Sequence, residues 1–265
     1  MLRRASMRRE CEIVGPTLDR SQFIRPIAHR GLHDRNAGVL ENTGPAFLAA
    51  IEGGYGIECD LQPASDGTPM VFHDRALKRL IDAEGLIDAQ TPAELAKLRY
   101  RGQDTPILTY AGFLEMVGGR VPLVVEIKSD FDAPKAGFLE AIASLTTSYK
   151  GPICLKSFDP AVMARCKALA PQIPRGIIAT DYTVHNWWPN KIDAARAISL
   201  TYLLESREAE PSFFSYHVRA LPTPVTRFTR EALGLPLFTW TVRNERERAI
   251  AAKWADAAVF EGYRP

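Results

Sequence analysis

The feature that most constrains this chain is a recurrence of short apolar runs that lack polar alternation. They fall at residues 23–29, 55–61, 69–73, 121–128, 152–156, 175–179, 213–217, 236–242 and 257–260, and most are rich in Val, Ile, Leu and Phe. A strand with one wet face alternates polar and apolar residues. Runs like these instead fit strands buried on both faces, as in a parallel sheet covered by helices. Amphipathic stretches with helical spacing lie between many of them, at 45–52, 91–98, 134–144, 160–169, 192–203, 225–233 and 245–254. Asn42-Thr43 can cap the first. Thr91-Pro92-Ala93-Glu94 gives the second a cap residue, a proline in the first turn and a glutamate three residues on. Repeated strand-then-helix units in 265 residues predict an α/β fold of the (β/α)8 TIM barrel type, with a doubly wound open sheet as the alternative.

Nine runs for the eight strands of a barrel leave one over. The runs at 55–61 and 69–73 are joined only by residues 62–68, which include Asp66-Gly67. A parallel crossover needs about a dozen residues. This pair is therefore predicted as one early antiparallel hairpin, which returns His73 across from Glu58 and Asp60.

Composition narrows the functional classes. Hydrophobic residues make up 46% and charged residues 24%, the balance of an ordinary globular domain. The formal net charge is +2, too small for a whole-protein field that would gather nucleic acid or anionic membrane. There is no apolar window of 18 residues, so no stable membrane insertion is expected. The four cysteines, Cys11, Cys59, Cys154 and Cys166, form no C-x-x-C pair and read as reduced, buried thiols of a cytoplasmic protein. Residues 1–21 read as a flexible basic N-terminal tail and residues 22–265 as one domain, with a small molecule as the expected partner and the oligomeric state left open.

Polar residues gather where the apolar runs end: His29-Arg30-Gly31, Glu58-Cys59-Asp60, His73-Asp74 and Glu126-Ile127-Lys128. The C-terminal mouth of a barrel is where these ends converge. Side chains alternate along a strand, so Glu58 and Asp60 share a face, as do Glu126 and Lys128. Three carboxylates in one mouth, left uncompensated, cost several kcal/mol if buried. Two arrangements remove that cost. One is a hard divalent cation, Mg2+ or Ca2+, which prefers oxygen ligands. The other is an ion-pair network with Arg and Lys. His29 and His73 have the chemistry of a proton-transfer pair near neutral pH. Arg30 and Lys128 offer cationic donors suited to phosphate, or partners for Glu41 and the acids. His33, His185 and His217 stand outside these motifs and read as surface or structural residues.

At these residues the sequence resembles the glycerophosphodiester phosphodiesterase family. Its pattern of His-Arg-Gly, Glu-Asn-Thr, Glu-x-Asp, a Gly-containing turn, His-Asp and Glu-x-Lys is matched by His29-Arg30-Gly31, Glu41-Asn42-Thr43, Glu58-Cys59-Asp60, Asp66-Gly67, His73-Asp74 and Glu126-Ile127-Lys128. Ser157-Phe158 and Thr239-Trp240-Thr241-Val242 also resemble the family. The resemblance implies a (β/α)8 barrel that hydrolyses glycerophosphodiesters to glycerol 3-phosphate and an alcohol. It implies one divalent cation held by Glu58, Asp60 and Glu126, acid/base catalysis by His29 and His73, and phosphate binding by Arg30 and Lys128. Glu41, Asn42 and Trp240 would line the site. The chain departs from the family pattern at Arg243, at Glu261 where an Asp is usual, and in a short segment after His73-Asp74 that implies a reduced insertion. The unusual Trp187-Trp188 pair leaves a lysophospholipase D, with a groove from Trp187, Trp188, Phe213 and Phe214, as an alternative. A non-catalytic phosphoester-binding barrel is the other.

Overall fold

The computed structural model describes residues 15–265. Cys11 and most of the expected basic tail lie outside the described residues. Nine strands form one sheet: β1 (Ile27–Ala28), β2 (Gly56–Pro63), β3 (Pro69–Val71), β4 (Leu123–Ile127), β5 (Ile153–Ser157), β6 (Arg175–Ala179), β7 (Phe213–His217), β8 (Leu237–Val242) and β9 (Ala257–Phe260). The order runs β1-β9-β8-β7-β6-β5-β4-β2, and β1 also pairs with β2, so eight parallel strands close into a barrel. This is the (β/α)8 architecture, with helices at residues 44–52, 110–117, 138–148, 160–169, 194–201 and 245–254 among the elements between strands.

The ninth run is the antiparallel one. Strand β3 pairs with the far end of β2 through Leu61↔Val71 and Gln62↔Met70. Gly67, at φ 88°, makes the turn in a left-handed conformation that glycine adopts without strain. Continuing this register places His73 opposite Cys59, between the levels of Glu58 and Asp60. Residues 72–109 then form a small excursion with its own apolar cluster, including Phe72, Leu77, Leu80, Ile81 and Tyr100 packed with Met70 from β3.

Alternation along the strands divides the remaining core into two shells. Ile57, Cys59, Val125, Ile127 and Leu155 pack outward against the helices. Ile27, Val124, Cys154, Phe213, Phe238 and Val259 fill the lower barrel interior. Leu18 and Phe23 join this inner cluster, so the described packing begins before residue 22. Cys59, Cys154 and Cys166 are free and buried, in line with the reading of the sequence. Among the described residues no helix is long and apolar enough to cross a membrane.

Three local readings change. The run at 23–29 yields only the two-residue β1, because Asp19 accepts a hydrogen bond from Ser21 N and caps a short helix at Arg20–Phe23. The helical stretch read at 134–144 lies at Phe138–Ser148, since Gly137 stands at φ 78° before it. Helix Tyr110–Val117 was not anticipated, although its boundary signals are present. Thr109 caps it by accepting from Gly112 N at 3.1 Å, and Gly118 ends it in the left-handed conformation. Thr109→Ala is expected to lower stability by about 1 kcal/mol, measured by urea unfolding, with the fold retained.

Candidate active site

Register brings the charged residues together. Asp60 on β2 pairs with Glu126 on β4, and Glu126 pairs with Lys156 on β5. These three neighbours project from the same inward face, and Glu58 lies two residues before Asp60. Glu58, Asp60 and Glu126 are buried, and each offers an oxygen within 4.8 Å of the others. Burial of three acids is matched by fixed cations. Lys128 Nζ lies 2.7 Å from Asp60 Oδ1 and 2.5 Å from Glu126 Oε1. Lys156 Nζ lies 3.0 Å from Glu58 Oε1 and 3.7 Å from Glu126 Oε2. Arg30 Nε lies 3.2 Å from Asp60 Oδ2. Burial opposes charge on Asp60, but the Lys128 ammonium, with His73 and Arg30, holds its carboxyl well below the usual range. Burial likewise opposes charge on Lys156, and Glu58 and Glu126 outweigh it, leaving the ammonium above its ordinary pKa.

The His-Arg-Gly and Glu-Asn-Thr segments have conformational reasons for their composition. Arg30 and Asn42 stand at φ 56° and 55°, and Gly31 at φ 79°, where a Cβ would meet the Ala46 carbonyl carbon at 2.8 Å. That turn aims Arg30 N at Glu58 Oε2, 3.1 Å away, and Arg30 Nη1 at Glu41 Oε1, 2.6 Å away. Asn42 Nδ2 donates to Asp60 Oδ2 at 2.9 Å, and Asp60 N donates back to Asn42 Oδ1 at 3.3 Å. Asn42 thus orients Asp60, while Glu41 orients Arg30.

Each imidazole is tethered by its Nδ1. That of His29 donates to Glu261 Oε2 at 2.8 Å, leaving Nε2 on the side of Glu58, 4.0 Å from Oε2. The Nδ1 of His73 donates to Asp74 Oδ1 at 2.6 Å. Burial works against both supporting acids, yet the hydrogen bonds from the histidines, with Arg243 on Glu261 and Arg79 on Asp74, keep them far below the usual carboxylate range. A carboxylate that only accepts fixes the proton on Nδ1 and leaves Nε2 of the neutral ring free to accept one.

These groups open into a cavity of about 600 Å3 that His29, Arg30, His73, Glu126, Lys128 and Lys156 share with an aromatic wall. Trp240 anchors the wall by donating from Nε1 to Ser215 O at 3.1 Å. Phe158 lies 5.3 Å from its ring, Trp187 5.9 Å and His217 4.9 Å, and Trp188 packs on Phe158 at 5.2 Å. The tryptophan pair therefore lines the mouth. Phe213 and Phe214 are buried in the inner and outer cores and take no part in a groove. His217, read from sequence as surface or structural, also lines the cavity. Burial, with His185 and Arg219 nearby, pushes its pKa down to about 4, so the ring is neutral at pH 7.

A profile of the Glycerophosphoryl diester phosphodiesterase family matches residues 29–261, from the first imidazole to the acid that holds it. The chain belongs to this family. It is a phosphoric diester hydrolase. A glycerophosphodiester phosphodiesterase of Caldanaerobacter subterraneus is 29% identical over 241 residues, which cover 85% of this chain and 89% of that one. One from Bacillus subtilis is 25% identical over 262 residues, covering 91% and 84%. In fold, the chain is similar to a phosphodiesterase of Oleispira antarctica solved with the product sn-glycerol-3-phosphate, at TM-score 0.71 and 23% identity over 91% of this chain and 94% of that one. A glycerophosphodiester phosphodiesterase from Thermotoga maritima gives TM-score 0.68 at 24% identity, covering 90% and 94%.

For a member of this family the acid triad fits a hard divalent cation. The donor set is all carboxylate oxygen, the oxygens converge, and Glu58 Oε1 and Asp60 Oδ1 are buried, each facing a lysine ammonium. Lys156, Asp74, Arg79 and Glu261 were not singled out as site residues from sequence. Lys156 carried a signal, a lone cation in the apolar run Ile153-Cys-Leu-Lys-Ser157. Glu261 was noted only as a departure from the family pattern. Asp74 follows His73 directly, and Arg79 clamps both Asp74 and Glu41 from 3₁₀ turn Leu77–Arg79.

Glu41 makes this clamp sensitive to acid. Burial raises its pKa, but hydrogen bonds from Arg79 and the Arg30 charge win and hold it at about 2. Its contribution is present above the ordinary glutamate pKa and is lost as pH falls from about 4.5 toward 2, on the order of 3 kcal/mol. Glu41→Gln is expected to lower stability at pH 7 and flatten the acid limb. Chemical denaturation at pH 7, 4.5 and 3 measures both effects.

Proposed function

We propose that the chain hydrolyses glycerophosphodiesters to glycerol 3-phosphate and an alcohol, with one divalent cation, Mg2+ or Ca2+, at Glu58, Asp60 and Glu126. The observation that carries this reading is that a buried triad of carboxylates reaches, through Glu126, a cavity that two tethered imidazoles also line. When bound there, a divalent cation supplies Lewis-acid polarisation and charge neutralisation for a phosphoryl oxygen. Arg30 and Lys128 bind the remaining phosphoryl oxygens, drawing on the same charges that now face Glu41, Asp60 and Glu126. Glu41 and Asn42 position Arg30 and Asp60.

His29 and His73 perform the proton transfers through Nε2. One accepts the proton of the attacking oxygen, water or the neighbouring glycerol hydroxyl, as the new P–O bond forms. The other donates its proton to the alkoxide as the scissile P–O bond breaks. Glu261 and Asp74 hold each ring in the required tautomer and stabilise it when protonated. Trp240, with Phe158 behind it, covers the apolar side of the glycerol or alcohol.

His29→Ala and His73→Ala are each expected to lower kcat/KM by at least about 10²-fold while circular dichroism stays unchanged. Release of glycerol 3-phosphate from glycerophosphocholine is the readout, with chelator and with each cation added back. Turnover near that of the parent in either variant, or in excess chelator, contradicts the reading.

A second reading, hydrolysis of lysophospholipids with the same residues, is favoured by the aromatic wall, because Trp187 is 51% exposed beside the cavity. On that reading Trp187→Ala reduces turnover of lysophosphatidylcholine severalfold more than that of glycerophosphocholine. Equal effects on both substrates exclude it.

A further inference from the structure

Lys156 differs from the other cations of the mouth. It lies inside β5 rather than at a strand end, and its side chain is 2% exposed, against 17% for Lys128. Its neighbour on β6 is Gly176, where an added Cβ would fall 2.4 Å from the Phe213 ring, so the strand beside it is fixed by close packing. The ammonium reaches Glu58 Oε1 at 3.0 Å and Glu126 Oε2 at 3.7 Å, two of the acids of the cation site. Both lysines border the cavity, Lys128 just past the end of β4 and Lys156 in the same row as Asp60 and Glu126.

We infer that Lys156 is a built-in counter-ion of the acid triad that competes with the divalent cation and weakens its binding. The inference rests on the cation site proposed above and deepens it. A fixed positive charge on the same oxygens repels an incoming dication, and the low dielectric of a buried site magnifies that repulsion. The same charge stabilises the metal-free protein, because three buried carboxylates then face Lys156, Lys128 and Arg30 instead of one another. The chain therefore folds without metal and holds its cation exchangeably.

Isothermal titration of the full chain with MgCl2 or CaCl2 tests this, alongside thermal unfolding with EDTA and with each ion. Lys156→Met is expected to lower the dissociation constant of the ion at least roughly tenfold, to lower the metal-free Tm, and to widen the gap between metal-free and metal-bound Tm. If Lys156→Met does not fold in EDTA, folding on addition of the ion supports the inference, and Lys156→Gln gives the affinity. An unchanged or larger dissociation constant in the folded variants overturns it, even if the metal-free Tm falls, because that is the result for a merely structural lysine. No binding to the parent chain or to either variant overturns the cation site itself and this inference with it.

Discussion

Three carboxylates share the low-dielectric mouth of a parallel barrel, and everything around them is arranged so that they remain charged there. A buried carboxylate without a partner protonates or unfolds its surroundings. Here Asp60 and Glu126 sit on adjacent strands in direct register, with Lys156 next in the same row, so the barrel's own hydrogen-bond ladder sets the spacing of the charges. Lys128 and Arg30 complete the compensation from the strand ends. The carboxylate oxygens converge within 4.8 Å of one another, a donor set compatible with a hard cation.

The imidazoles depend on the same logic at one remove. His29 and His73 enter the mouth along the same edge of β2, the one turned away from β4, one from the end of β1 and one from the return of the hairpin. Each has its outer nitrogen bound to a carboxylate that is in turn held by an arginine: Glu261 by Arg243, and Asp74 by Arg79. Arg79 and Arg30 both reach Glu41, so a chain of charge pairs runs from the insertion to the acid triad. The small excursion at residues 72–109 therefore fixes one of the two rings and the acid that orients Arg30.

The cavity has two unlike halves. One carries the acids, cations and imidazoles. The other is built from Phe158, Trp187, Trp188 and Trp240, whose rings pack edge to face or tilted against one another. Ring centroids 5.2–6.0 Å apart make these four side chains one aromatic wall. It lines the cavity with apolar surface, and the polar indole edge of Trp240 is satisfied by Nε1 donating to Ser215 O. A diester with one charged centre and two organic arms matches such a division.

The amino-acid sequence by itself determined the repeating strand and helix units, the extra hairpin and the strand ends that carry charge, because burial on both faces and turn length leave local marks. Glu58, Asp60 and Glu126 were legible since period-two alternation fixes which side chains share a face. The Tyr110–Val117 helix was missed with its cap in plain view, as eight residues carry little periodicity. Only the tertiary structure decided that Glu261, more than 200 residues from His29, is its partner, that Lys156 shares the acids' row, and that Trp187 and Trp188 face the mouth while Phe213 and Phe214 do not. Those facts follow from barrel closure and strand register, which join distant segments by backbone hydrogen bonds and leave no trace in local residue spacing.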